Sequence, residues 1–232
     1  MNGTMAGSGT DSACGATASD APRASTTLSG AVGLVGVLVA IALTGWLDLS
    51  SGEDVVRRTI SGYVFTDPVP FTTAVVALVI GSAAVFIGLL RQRVMTLASP
   101  SAWLLAAWTL GLAAVAIFPK HDWSVGPSVS GHIHRVGSLV AFIALPIAVV
   151  LLTAHAVRRS GAWWARSALG FAIASFAYLA YLAWIIYDAG QSGTAWWQAV
   201  PLGLAERILL ALEVGAVAAL AAGLLVRRRF RG

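Results

Sequence analysis

The chain has 232 residues, of which 58% are hydrophobic and only 11% charged, and its mean hydropathy is +0.81. A soluble domain of this size carries about 25% charged residues, so most of this chain has no water to face, and its length fits one polytopic helical domain. The net charge of +5 and pI near 10.1 do not point to nucleic acid, because the arginines are scattered over loops and gathered behind the last apolar stretch.

Residues 1–27 are mostly Gly, Ser, Thr, Ala and Asp and read as a disordered tail with almost nothing to bury. They are not a secretory signal, since no basic segment precedes an apolar run. The single cysteine, Cys14, reads as an incidental free thiol. It permits neither an intramolecular disulfide nor a cysteine metal cage. Six apolar stretches follow, at residues 28–47, 69–90, 101–118, 136–156, 167–187 and 208–226, each closed by charge, proline or glycine. About 20 residues at 1.5 Å each cross a hydrocarbon core of about 30 Å, and in lipid such segments must be helical to satisfy their backbones. Gly30, Gly33 and Gly36 line the first stretch, and the sixth is mostly Ala, Gly, Leu and Val. Small residues let helix backbones approach, so these two helices are expected to pack inside the bundle. Residues 227–232 form a basic tail.

Orientation follows from lysine and arginine in the loops. With a cytoplasmic N-terminus the inner segments hold ten (Arg23, Arg91, Arg93, Arg158, Arg159, Arg166 and four in the tail), against five outside (Arg57, Arg58, Lys120, Arg135, Arg207). The expected architecture is therefore an all-α, six-transmembrane-helix bundle with both termini cytoplasmic. Its Ala, Gly, Val and Arg richness, with a single lysine, suggests a high-GC bacterial genome, and the expected location is the bacterial inner membrane. Acidic residues and most histidines then fall on the extracytoplasmic side, which is where a site belongs.

Three polar segments stand out. Arg57-Arg58-Thr59-Ile60-Ser61-Gly62-Tyr63 precedes the second helix. Phe118-Pro119-Lys120-His121-Asp122 runs on to Gly131-His132-Ile133-His134. Gly203-Leu204-Ala205-Glu206-Arg207 opens the sixth stretch. In these segments the chain resembles the DUF998 family of bacterial membrane proteins, whose function is not established. That family shows an arginine with Ile/Val-Ser-x-Tyr after the first helix and Phe-Pro-x-Asp at the end of the third. It shows Gly-x-x-His at the start of the fourth helix and Gly-Leu-x-Glu-Arg at the start of the last. The resemblance spans roughly residues 28–226 and implies Arg58, Ser61, Tyr63, Asp122, His134, Glu206 and Arg207 as site residues. This chain departs from the pattern at Gly62, where an acid is common, and at Lys120-His121, which insert one residue before Asp122.

Read chemically, Ser61, His134 and Asp122 are the ingredients of a nucleophilic triad, without the Gly-x-Ser-x-Gly elbow that would present the serine. His121, His132, His134 and Asp122 are suitable metal ligands by type. On a helix, however, positions 132 and 134 point about 200° apart, so no metal is assigned. No cofactor is called for either. Glu213 lies two turns below Glu206 on the same helix face, deep enough that it must be paired, neutral or hydrated. Its expected partners are Tyr178, Tyr181 or the outer arginines. Tyr178, Tyr181, Trp184 and Tyr187 form an aromatic stripe suited to packing and an interfacial belt.

Together these residues point to a membrane protein with a polar extracytoplasmic site for a lipid headgroup, small polar ligand or partner. Membrane lipids are the expected partners and nucleic acid is not. A lipid hydrolase using Ser61, His134 and Asp122, or a proton-coupled carrier centred on Glu213, are the alternatives.

Overall fold

The computed structural model describes residues 21–160 and 162–226. Cys14, most of the N-terminal tail and the basic C-terminal tail lie outside the described residues. In chain order the elements are α1 (Ala21–Ser50), a 3-10 turn (Ile60–Val64), α2 (Pro68–Arg91), α3 (Pro100–Ile117), α4 (Val129–Ser160), α5 (Trp163–Gln191), the short α6 (Trp196–Ala199) and α7 (Leu202–Val226). Among the described residues six helices are long and apolar enough to cross a membrane. The protein is a multi-pass, all-α bundle. The first helix begins at Ala21, ahead of its apolar run, so residues 21–27 are helical.

Helix boundaries follow local chemistry. Pro68 and Pro100 occupy the first helical positions of α2 and α3, where the missing N–H costs nothing. Ser99 caps α3 by accepting a hydrogen bond from the Ala102 amide at 3.3 Å. Pro146 lies inside α4, which a membrane helix tolerates when neighbouring groups satisfy the freed backbone.

The tight pairings use glycine. A Cβ at Gly81 of α2 would sit 3.1 Å from the Gly33 carbonyl and 3.3 Å from Gly36 Cα on α1. Gly111 of α3 and Gly137 of α4 face each other in the same way, a Cβ at Gly137 falling 3.0 Å from the Gly111 carbonyl oxygen. Without a hydrophobic driving force in lipid, such close backbone contact supplies the association energy through dispersion. Trp108 of α3 is fully buried and donates its Nε1–H to Ser82 Oγ of α2 at 3.0 Å.

The two small-residue helices differ in position. α7 is the central helix, touching α1, α2, α4 and α5, with Val214, Val217, Leu220 and Leu224 all buried. α1 buries only its glycine face; Val35, Leu38 and Ile41 look outward. It is half inside the bundle rather than enclosed. α5 is the most peripheral, holding α7 through Ala168, Ala172 and Ser175 while Ile173, Tyr181, Trp184 and Tyr187 are exposed. The stripe is continuous, with Tyr178–Tyr181 and Tyr181–Trp184 ring centroids 6.1 and 6.3 Å apart.

Candidate functional site

At one end of the bundle the connections 51–67, 118–128 and 192–201 lie over the helix ends. Their centre is Arg207, in the second turn of α7. Its guanidinium grips the Asp48 carboxylate at the end of α1 with two bonds, Nε to Oδ2 at 2.9 Å and Nη2 to Oδ1. Nη1 donates to three carbonyl oxygens, of Arg58 at 2.7 Å, Val55 at 2.9 Å and Gly203 at 3.0 Å. Tyr63, fully buried, donates its hydroxyl to Asp48 Oδ1 at 3.0 Å and receives one from Ser51 at 3.1 Å. The planar fork of arginine is what makes this array possible.

Gly203 belongs to the same device. A Cβ there would strike the Arg58 and Val55 carbonyl oxygens, and the neighbouring Leu204 amide donates to the Val56 carbonyl at 3.0 Å. Glycine lets the loop lie against the start of α7. Arg58 binds its own loop, pairing with Glu53, donating to Thr66 Oγ1 at 3.1 Å and lying over the Tyr63 ring at 5.4 Å. Arg58, Tyr63 and Arg207 are thus a clamp that locks the 51–67 segment between α1 and α7. Their hydrogen bonds run to other groups of the protein, and Arg58 Nε is buried without a partner among the described residues.

Beneath the 3-10 turn lies a narrow cleft of about 60 Å³ between α1, α2, α3, α4 and α7. Phe71, Leu78, Leu112, Val115, Phe142 and Leu210 supply its apolar walls, and Ser61 and Glu206 form its polar end. The Ser61 amide donates to Glu206 Oε1 at 3.4 Å. Glu206 Oε2 is shielded from solvent and, among the described residues, has no hydrogen-bond partner. Lys120 reaches the same region from the 118–128 segment, donating its ammonium to Thr59 Oγ1 at 2.7 Å. Burial lowers the Lys120 pKa from its ordinary value, while the Glu206 carboxylate pulls it back up and Arg58 pushes it down.

The remaining expected residues stand apart. Asp122 is exposed and accepts hydrogen bonds from Ser124 Oγ at 2.6 Å and Ser124 N at 3.0 Å, which hold its carboxyl below the usual value. Arg58 pairs with Glu53, and among the described residues it makes no ion pair with Asp122 or Glu206. His134 is buried and donates Nδ1–H to the Phe118 carbonyl at 2.8 Å, tying α4 to the end of α3. Ser61, His134 and Asp122 therefore do not form a proton relay, since their hydrogen bonds lead to Glu206, Phe118 and Ser124.

His121 folds back over Gly131, where any Cβ would collide with its ring, and accepts a hydrogen bond from the Ser128 amide at Nδ1, 3.0 Å. That bond fixes a neutral imidazole with its proton on Nε2. The His132 ring stands edge-on to it at 4.7 Å.

Glu213 faces the bundle interior and is 1% exposed. Its partner is Ser175 of α5, donating to Oε1 at 3.3 Å. The tyrosines are not the partners, because Tyr178 and Tyr181 sit further along α5 in the outward stripe. Glu213 Oε2, like Glu206 Oε2, has no partner among the described residues.

Sequence reasoning missed Asp48, Thr59, Lys120 and Ser175. Asp48 carried a signal, an acid placed directly at the end of the first apolar stretch. Lys120 carried another, as the only lysine of the chain, but it read as an insertion in a motif.

Among curated proteins and among solved structures no match is found. The residues of the clamp and of the cleft's polar end nevertheless fall in the first and third of the segments noted above, and residues 31–223 match DUF998, described as a protein of unknown function. The chain belongs to the DUF998 family.

Proposed function

We propose that this membrane protein binds an amphipathic ligand, a membrane lipid or lipid-like molecule, with its polar head against Glu206 and Ser61 and its apolar part in the cleft. The observation that carries this reading is Glu206 Oε2, a carboxylate oxygen shielded from solvent and without a donor among the described residues, at the polar end of a cleft whose other walls are apolar apart from Thr44 and Ser138. Buried polar groups are almost always hydrogen-bonded, and an unpaired one costs about 1–3 kcal/mol, more when charged. A ligand hydrogen there removes that cost. Small-molecule sites share this build, with apolar walls and a few placed polar groups.

In this reading Arg58, Tyr63 and Arg207 hold the roof, Ser61 and Glu206 meet the ligand, and Asp122, His134 and Glu213 serve the scaffold. The protein binds without catalysing a reaction. The two-to-one excess of basic residues at the other end of the bundle supports an extracytoplasmic position for the cleft's polar end and cytoplasmic termini. Composition supports a bacterial inner membrane, with residues 1–20 and 227–232 as tails on its cytoplasmic side.

The test is lipid analysis of protein purified from its native membrane. Wild-type protein should carry one lipid class in excess over the bulk extract. Both Glu206→Gln and Ala74→Phe, which fills the cleft wall, should lose that excess. Identical lipid profiles for wild type and both variants would refute the reading.

A further inference from the structure

We infer that the 118–128 segment is a pH-operated latch. It is fastened across the start of α4 while His121 is neutral, and it is released, with its hold on the roof of the cleft, when His121 takes up a proton. The latch is independent of what the cleft holds. Its fastening is a hydrogen bond that can run in one direction only. The Ser128 amide can only donate, so His121 Nδ1, 3.0 Å away, must present a lone pair. An imidazolium has no lone pair on either nitrogen. Turning the ring restores no acceptor, and the buried ring lies on Gly131, where there is no room even for a Cβ. His134 behaves oppositely. It donates Nδ1–H to the Phe118 carbonyl, a bond that protonation keeps.

The surroundings resist a charge on the seated ring. From α4, His132 stands edge-on at 4.7 Å, and His134 and Arg135 act on the ring electrostatically. The seat is the first turn of α4, where Ser128 Oγ accepts from the Gly131 amide at 3.0 Å and the helix dipole is positive. On its own segment Lys120 is a cation, and Asp122 turns its carboxylate to Ser124. A protonated His121 therefore lowers its energy by leaving. Lys120 couples this step to the cleft. It directly precedes His121 and donates its ammonium to Thr59 Oγ1 at 2.7 Å. The Thr59 carbonyl accepts the Gly62 amide at 2.9 Å and so begins the 3-10 turn, which carries Ser61 over the cleft. Release of the segment withdraws that support from the roof.

The experiment is amide hydrogen exchange on the full chain in lipid nanodiscs between about pH 7.5 and 5, either side of the ordinary histidine pKa, corrected for the intrinsic pH dependence of exchange. Below a midpoint under about pH 6.5, protection of the Ser128 amide should fall about tenfold per pH unit, the slope of a single proton. The 60–64 turn should lose protection with the same midpoint. His121→Asn, which sets a non-titrating amide oxygen near the place of Nδ1, should hold both regions protected throughout. His132→Gln should keep the slope and raise the midpoint. Nitrogen chemical shifts of labelled histidine, which need no variant, should show His121 as the Nε2–H tautomer at neutral pH. An Nδ1–H tautomer, protection independent of pH, or the same loss in His121→Asn overturns the inference. So does abolition of the transition by His132→Gln, which would assign the proton to His132. Loss confined to residues 118–131 would refute the coupling to the roof.

Discussion

Removing Arg207 should loosen the end of the bundle far more than removing any other surface-proximal charge. Its five hydrogen bonds join α1, α7 and the 51–67 segment. Breaking a buried ion pair from one side costs roughly 3–5 kcal/mol. Since the Arg207 and Asp48 side chains are 15% and 23% exposed, the lower end applies to Arg207→Ala, about 3 kcal/mol. For a chain of this size each kcal/mol shifts Tm by about 2–4 °C, so the expected fall is roughly 6–12 °C. Arg207→Lys keeps the charge but loses the planar fork; it should recover roughly half of the loss. Thermal unfolding in detergent, followed by tryptophan fluorescence, measures both. Combining Arg207→Ala with Asp48→Ala should cost less than the sum of the single changes, because the second removes a partner already orphaned. Strict additivity, or a lysine variant as stable as wild type, would refute the clamp. A loss of bound lipid in Arg207→Lys at unchanged Tm would instead make Arg207 a ligand group.

Gly203→Ala should destabilise by at least about 1 kcal/mol in the same unfolding assay, since its Cβ meets the Arg58 and Val55 carbonyls; a neutral effect would mean the loop yields freely. Glu213→Gln should be nearly as stable as wild type, because an amide keeps the shape and the Ser175 contact. Glu213→Leu should be worse by about 1–3 kcal/mol, and equal stability of the leucine variant would count against a structural acid. His121 must be neutral to accept from Ser128, and burial, then His132 and Arg135, hold its pKa below the ordinary value. Its contribution is therefore present above about pH 6.5 and lost as pH falls through the lowered folded value. Tm should drop between neutral and acid pH, and His121→Gln should flatten that part of the profile. Cysteines introduced at Gly52, Ser124 and Ser192 should react with an impermeant reagent from outside, with a cysteine at Arg93 protected; the reverse pattern inverts the orientation.

The helices were legible because lipid leaves little choice. An apolar run of spanning length must be helical and must stop near the first charge, proline or glycine, so six spans could be read without knowing any contact. The close pairings of α1 with α2 and of α3 with α4 left a trace in Gly33, Gly36, Gly81, Gly111 and Gly137, but the sequence could not say which glycine meets which. Side-chain partners were less accessible. Arg58 has several acids within reach of its loop, and Glu53, five residues away, wins over the more distant Asp122 and Glu206. The cleft was invisible, because Phe71, Leu112 and Phe142 look like any other apolar residues until three helices bring them together.

The motif Gly203-Leu204-Ala205-Glu206-Arg207 is the place where scaffold and site meet. Neighbours on a helix point about 100° apart, so the consecutive Glu206 and Arg207 cannot face the same partners. Arg207 turns to α1 and the loop carbonyls, and Glu206 turns beneath the 3-10 turn to Ser61. Gly203, one turn earlier, brings the Arg58 carbonyl within reach of Arg207. The same contact fixes the 3-10 turn that carries Ser61. Glycine and arginine thus set the position of the roof, and the carboxylate between them keeps one buried oxygen without a partner among the described residues, the group on which the proposed binding rests. A charge swap across the pair, Glu206→Arg with Arg207→Glu, keeps composition and net charge yet should destroy both roles at once. Asp48 would then face an acid, and the cleft would end in a guanidinium.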